Sequence, residues 1–334
     1  MHRAAHPAGR RTLVWVLCPG SSPARIGAQV NEPAFSTCWN SGRHTRGEQM
    51  LAEIAGLGFH RVELGHGVRL SLWDGIVDYL GRHELEVTSL HNFCPLPVQI
   101  LRADPDCYQC TSHRPEERER AARYTRQTID WAATLRARYV VLHLGSVPMP
   151  PYTDKLIALI RRGHYLDRGY VKAKIAALKA REGARALVLE RVRQWLVPLA
   201  QYAKAAGVKL AIENRIGLET VPSEREFAAL FGEADFAEVG YWHDFGHAQV
   251  RANLGWIDHR EWLTAMKSRL FGAHVHDVRF PDLDHLAPFT GMTPWAELFA
   301  ILPPETLCVW EMSPRLPAAE IIAALAKWRV LGQR

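Results

Sequence analysis

No run of apolar residues in this chain approaches the ~20 needed to cross a bilayer, so no helical membrane span is expected. Cysteine is sparse. Six residues (Cys18, Cys38, Cys94, Cys107, Cys110 and Cys308) in a chain of 334 make no disulfide framework, and Cys38 and Cys308 fall in predicted strands where a buried thiol packs well. A reducing, cytoplasmic setting is expected. Cys107-Tyr-Gln-Cys110 has no second pair to complete a structural zinc site. Charge of one sign is not gathered either. The net charge of +6 is spread along the whole chain, which tolerates an anionic substrate without selecting nucleic acid as a partner. Residues 12 to 18 (TLVWVLC) follow Arg10 and Arg11 and imitate a signal peptide, but the apolar stretch is short and no small-residue cleavage site follows it. There is no internal repeat beyond the alternation described next.

What the chain does contain is apolar, β-rich runs alternating with segments of helical period, the pattern of a parallel α/β fold. Eight runs begin near Phe35, Arg61, Leu85, Tyr139, Lys209, Val239, Leu270 and Thr306. Helices are predicted over 47–57, 70–83, 115–137, 186–206, 222–231, 256–269, 294–302 and 318–331, the last with Ile321, Ile322, Leu325 and Trp328 spaced along one side. Eight β/α units whose final helix closes the ring predict a single-domain (β/α)₈ TIM barrel over residues 34–334. An open doubly wound sheet is the competing arrangement, and it would keep the first and last strands apart. Residues 1–33 show neither period and read as a disordered or loosely docked arm. Two gaps exceed ordinary loop lengths, at about 92–115 and 147–183, and both are expected to fold over the barrel mouth as lids. The second begins with Pro148, Pro150 and Pro151 and turns basic (Lys155, Arg161, Arg162, Arg168, Lys172, Lys174, Lys179, Arg181), as either a solvated helix face or a phosphate clamp.

Four of the predicted strands end in a side chain that binds metals well: Glu213 in KLAIE, Asp244 in GYWHD, His274 in LFGAH and Glu311 in LCVWE. Neighbouring parallel strands of a barrel converge at one mouth, where such folds keep their chemistry. Burying Glu213 behind apolar strand residues would be costly without a cation, unless Arg215 or a lysine pairs with it. His276 lies two residues beyond His274 and faces the same side of a strand, so either could be the ligand. Asp244 is followed by His247, an aspartate that could equally cap a helix beside a surface histidine. Asp277 is placed to support His274 or to touch substrate. His91 and His143 end the third and fourth strands and would line the same mouth. Trp39 and Phe93 could form an apolar wall of the mouth or pack in the core.

LAIEN, HDFGHA, HVHDVR and WEMSP, taken in order and spacing, resemble the xylose-isomerase-like superfamily of (β/α)₈ barrels, which includes ketose 3-epimerases, inosose isomerases and dehydratases, and endonuclease IV type abasic-site nucleases. The resemblance runs from about Phe35 to Trp328. It implies one divalent ion (Mn²⁺, Mg²⁺, Co²⁺ or Zn²⁺) on Glu213, Asp244, His274 and Glu311, and favours His274 over His276. It also implies proton transfer by Glu213 and Glu311 through a metal-stabilised enediolate, with His247 and Glu219 facing a small-molecule sugar substrate. An arginine is expected six residues after the ligand histidine; Phe280 stands there and Arg279 is one short. His91, His143, Glu213, Asp244, His247, His274 and Glu311 also match most ligands of the nuclease's three-metal cluster. That pattern is broken at Asp284-His285, where the two residues are adjacent rather than one apart. A metal-dependent sugar isomerase or epimerase is the expectation, with the nuclease, or a lyase or dehydratase on the same platform, as alternatives. Homo-oligomerisation is left open.

Overall fold

Ala34 of the first strand pairs with Val309 of the last, and that register closes the ring. The computed structural model describes residues 31–332, so the arm expected over 1–33 and the signal-like 12–18 fall almost wholly outside the described residues. At the start of the described part, Trp328 Nε1 donates to Asn31 O at 3.0 Å and Arg329 Nε reaches Glu32 Oε1 at 3.0 Å.

The strands are β1 (Ala34–Ser36), β2 (Arg61–Leu64), β3 (Glu86–His91), β4 (Tyr139–Leu142), β5 (Lys209–Glu213), β6 (Gly240–Asp244), β7 (Leu270–Val275), β8 (Asp277–Arg279), β9 (Leu283–Leu286) and β10 (Leu307–Trp310). Eight of them form a closed barrel in the order β1-β10-β7-β6-β5-β4-β3-β2, every pair parallel, while β8 and β9 make a separate antiparallel hairpin at the mouth. The open doubly wound alternative is thereby excluded. Barrel strands are covered on both faces, which is why they read as nearly unbroken apolar runs.

Ala34, Val141, Ala211, Trp242 and Val309 form an interior cluster, with Tyr139, Leu307 and Phe271 beside them. Room for these rings comes from missing side chains: a Cβ on Gly272 would collide with Trp242, and one on Gly240 with Phe271. The larger apolar cluster lies between the barrel and its helices.

The helices are α1 (Gly47–Gly56), α2 (Trp73–Leu80), α3 (Pro115–Thr134), α4 (Tyr152–Arg161), α5 (Arg168–Ala205), α6 (Glu224–Phe231), α7 (Phe245–Asn253), α8 (His259–Met266), α9 (Trp295–Phe299) and α10 (Ala318–Gly332). Two corrections to the sequence reading arise here. The break expected near Gly183, between the basic segment and a helix over 186–206, is not there: α5 runs unbroken for 38 residues. A glycine in a helix costs only about 1 kcal/mol relative to alanine, which a long packed helix absorbs. Helix α7 is absent from the predicted helices and is announced only by Asp244 as a cap, because Phe245, His247, Ala248, Gln249, Val250, Arg251 and Asn253 are all buried and such a helix has no polar stripe to betray its period.

The stretch after β4 is seated rather than free. Leu156, Ile157, Ile160, Tyr170 and Ala173 pack against Val250, Leu254 and Val278, and Arg161 pairs with Asp282 at 2.9 Å. Arg181 is buried against Glu226, and Lys174 donates to Gly255 O at 2.6 Å, so these two basic residues serve the packing of α5. No helix among the described residues is long and apolar enough to cross a membrane. The five cysteines in that range are all free.

Candidate metal centre

The ends of β5, β6 and β7 and the residue after β10 meet at the barrel mouth. One ligand atom from each of Glu213, Asp244, His274 and Glu311 lies within 4.8 Å of the others, and all four residues are buried. Strand register explains the meeting: Asp244 is the partner of His274 across β6 and β7, and Glu311 N donates to Val275 O at 3.3 Å. Asp244 also caps α7, accepting from His247 N at 2.6 Å. The capping aspartate and the cluster aspartate are therefore one residue.

Hydrogen bonds behind the cluster set which atoms face inward. His274 Nε2 lies 3.2 Å from both carboxylate oxygens of Glu63, so in the neutral form that binds a metal its proton sits on that side and its Nδ1 lone pair is turned to the cluster. Nδ1 of His274 lies 3.2 Å from Glu311 Oε2 and Oε1 of Glu213 lies 3.1 Å from His247 Nδ1, yet neither buried atom has a partner aligned as a hydrogen bond. Three carboxylates crowded with one imidazole, and inward atoms left unpaired, are the donor chemistry of a divalent cation. The residues present fit such an ion.

His276 is spent elsewhere. Its Nδ1 accepts from His285 N at 2.9 Å, which leaves the proton on Nε2 to donate to Asp244 at 3.0 Å. A Cβ on Gly246 would collide with the His276 ring, so that glycine is what lets the imidazole lie beside Asp244. Between His274 and His276, it is His274 that joins the four-residue group.

Other expected residues divide into those at the cluster and those away from it. His91 Nε2 and His143 Nε2 face Glu213 Oε2 at 3.0 and 3.1 Å. His247 Nδ1 donates to Asn214 O at 3.1 Å. Trp39 lines the mouth cavity and donates Nε1 to Leu316 O at 2.9 Å. Glu219 was expected beside substrate, but its two oxygens are taken by Thr153, at 2.9 Å from the backbone N and 2.6 Å from Oγ1. Asp277 is likewise corrected: it accepts from the backbone N of Val278, Thr290, Gly291 and Thr293 and from Trp295 Nε1, so it organises the 290–295 loop. Arg279 is exposed on β8 and is not among the residues that line the mouth cavity. Phe93 packs in the core against Tyr108 and Tyr124 rather than lining the mouth.

Of the further participants, Glu63 and His66 carry no mark in the sequence; Glu63 stands one position before the end of β2. Asp284 and His285 form a pair at 3.0 Å on the hairpin, and His285 Nε2 is 4.0 Å from Glu311. His247, His276 and His285 make a further group of converging nitrogens. His66 also lines the mouth cavity, of about 610 Å³, with Cys38, Trp39, Arg69, His285 and Glu311. Its Nδ1 is buried without a partner.

The electrostatics follow from this crowding. Burial acts to raise the carboxyl of Glu213, but His274, His247 and His91 outweigh it and hold the group well below its usual range. Glu311 is held at about 2 against burial by His274 and His285. Burial would depress His274, yet Glu311, Glu63 and Glu213 raise it well above an ordinary imidazole. His285, also opposed by burial, is lifted to about 9 by Asp284. His66 goes the other way, to about 3, because burial and the neighbouring His91 disfavour its charge. The field is strongly negative at the cluster and rewards a positive charge placed there.

A family model described as xylose isomerase-like TIM barrel matches residues 51–329. A comparison with curated proteins finds no match. Among solved structures, a D-tagatose 3-epimerase-like protein aligns over 91% of this chain and 98% of its own, with TM-score 0.64 and 17% identity. The D-psicose 3-epimerase of Clostridium cellulolyticum H10, solved with D-tagatose, aligns over 90% and 99%, with TM-score 0.61 and 14% identity. An IolI protein carrying a zinc atom aligns over 91% and 98%, with TM-score 0.60 and 13% identity. At these identities the likeness is one of fold.

Proposed function

The chain belongs to the xylose isomerase-like TIM barrel family, and from that membership we propose that it is a divalent-metal-dependent isomerase or epimerase of a sugar, sugar phosphate or polyol-derived ketone. The convergence of Glu213, Asp244, His274 and Glu311 within 4.8 Å carries the proposal. The sugar epimerases among the solved structures of this fold support the substrate class.

Glu213, Asp244, His274 and Glu311 would hold the ion, and Mn²⁺, Mg²⁺, Co²⁺ and Zn²⁺ all suit such a set of three carboxylates and an imidazole. When bound, the ion supplies Lewis acidity that makes a C–H beside a substrate carbonyl easier to ionise. Glu213 ends β5 and Glu311 directly follows β10, so one carboxylate can remove a proton from one face of the substrate and the other can return it from the opposite face. His247 spends Nδ1 on Asn214 O and keeps Nε2 for a substrate oxygen. Trp39 offers an apolar face at the mouth.

The test is hydrogen exchange from a panel of ketoses and ketose phosphates in D₂O, read by mass spectrometry with metal-loaded protein. Deuterium should enter at least one substrate at the carbon beside the carbonyl, and chelation should stop it. No exchange across the panel, with metal bound, would overturn the proposal. Loss of water from a substrate in the same assay would redirect it to a lyase.

A second reading, an abasic-site nuclease using several ions, is favoured by two observations. His91 and His143 both address Glu213, and His247, His276 and His285 converge beside the main cluster. Cleavage of a duplex bearing one abasic site, with no exchange into ketoses, would select it.

A further inference from the structure

His91 Nε2 and His143 Nε2 approach the same oxygen, Glu213 Oε2, at 3.0 and 3.1 Å, a corner that a second divalent ion could bridge. The two imidazoles differ in what else they touch. His91 Nδ1 donates to Asn92 O at 3.0 Å, so in its neutral form the Nε2 lone pair points into the corner. His143 Nε2 is met by Arg215 Nη1 at 2.7 Å. A guanidinium only donates, so the His143 lone pair is the acceptor of this bond and is withdrawn from any ion. Arg215 Nη1 lies in turn 3.0 Å from Asp106 Oδ2, and Asp106 Oδ1 faces His143 Nδ1 at 3.4 Å.

Asp106 belongs to the stretch between β3 and α3, so the insertion supplies the anion that keeps the guanidinium at the mouth. Both side chains are largely buried, at 21% and 26% exposure, where an unpaired charge would be unfavourable. Arg215 Nε has no hydrogen-bond partner, which leaves this fixed cation with a donor to spare.

Resting on the reading of the site as a metal centre, we propose that Arg215, anchored by Asp106, takes the place of a second metal ion beside His91, His143 and Glu213, and so restricts the centre to one ion. A guanidinium in that corner repels a second divalent charge and occupies one of its ligands. It gives a substrate oxygen a positive partner that no chelator can strip. The backbone places Arg215 two residues past Glu213, so every chain that folds carries this charge beside the ligand.

The experiment counts ions. The full-length chain, stripped with chelator, is titrated with Zn²⁺ or Mn²⁺, desalted and measured by plasma mass spectrometry, with thermal melts reporting folding. Wild type should bind one ion per chain, and Arg215→Lys should also bind one. Arg215→Met, which keeps bulk and removes charge, should bind two, and adding His143→Ala should return the count to one. Two or more ions on wild type would overturn the proposal whatever the variants do, as would a folded Arg215→Met that still saturates at one. No ion on any of them, by contrast, would overturn the metal-centre reading itself.

Discussion

Glu63 and His274 lie 211 positions apart in the chain, yet His274 Nε2 sits 3.2 Å from both oxygens of the Glu63 carboxylate. Ser89 Oγ steadies that carboxylate at 2.8 Å. Such a partner behind a ligating imidazole fixes its tautomer and ring angle, and its loss costs about 10- to 100-fold in metal affinity. Glu63→Gln should weaken binding by about that factor while far-UV dichroism is kept, as read by calorimetric titration with Mn²⁺ or Zn²⁺. Unchanged affinity would mean that the pair is only a packing contact.

Glu213→Gln and Glu311→Gln should each reduce ketose exchange by roughly 10²-fold or more, since each removes a base as well as a ligand. To separate the two losses, exchange is measured at saturating metal and each variant's affinity is determined independently. Wild-type exchange in either variant would refute the two-carboxylate scheme.

Gly246→Ala makes a different demand. Its Cβ would collide with the His276 ring, which holds Asp244 at 3.0 Å and accepts from His285 N at 2.9 Å. Displacing that ring should destabilise the fold by about 1–3 kcal/mol, the usual range for overpacking, and loosen Asp244. Urea unfolding and a metal titration on the same sample would reveal both losses, and neither would appear if α7 can simply shift.

Metal should also stabilise the fold, because a cation relieves carboxylates that otherwise crowd one another. An ion at a hundredfold over its Kd adds about 2.7 kcal/mol if it binds only the native state. The melting temperature should therefore climb with metal concentration in wild type. It should climb less in a Glu213→Gln variant.

Away from the site, acid sensitivity can be assigned to Glu53. Burial acts to raise its carboxyl, but Arg43, His44 and Asn40 outweigh this and hold it at about 2, against an ordinary 4.5. The folded value lies below the unfolded one, so the stabilisation is complete above about pH 4.5 and is lost as pH falls towards 2. Partial exposure of the side chain keeps the effect modest. Glu53→Gln should flatten the dependence of unfolding free energy on pH in that window, and an unchanged slope would rule the group out.

Which parts of the centre can be read from the chain follows from where each residue sits in its local pattern. Glu213, Asp244, His274 and Glu311 each interrupt an apolar run at its end, and a polar group there is conspicuous. Glu63 is also near a strand end, but in RVELG it looks like any charged residue of an alternating strand. Arg215 stands out in the sequence only as a neighbour of Glu213; its pairing with Asp106 gives no local signal, because only the path of the stretch after β3 brings the two together at 3.0 Å. Glu219, Asp277 and Arg279 drew attention by spacing alone, and spacing is silent about loops that turn a carboxylate onto Thr153 or onto the backbone of the 290–295 segment.

Local chemistry was enough to determine the eight strands, most of the helices and the four side chains set at strand ends, because burial on both faces and one-sided helices leave periodic marks in the residues themselves. Tertiary structure alone decided that β1 meets β10, that Glu63 stands behind His274, and that an arginine held by a distant aspartate occupies the corner beside His143. Those are contacts between segments whose separation in sequence carries no periodicity, so only the closing of the barrel could bring them about.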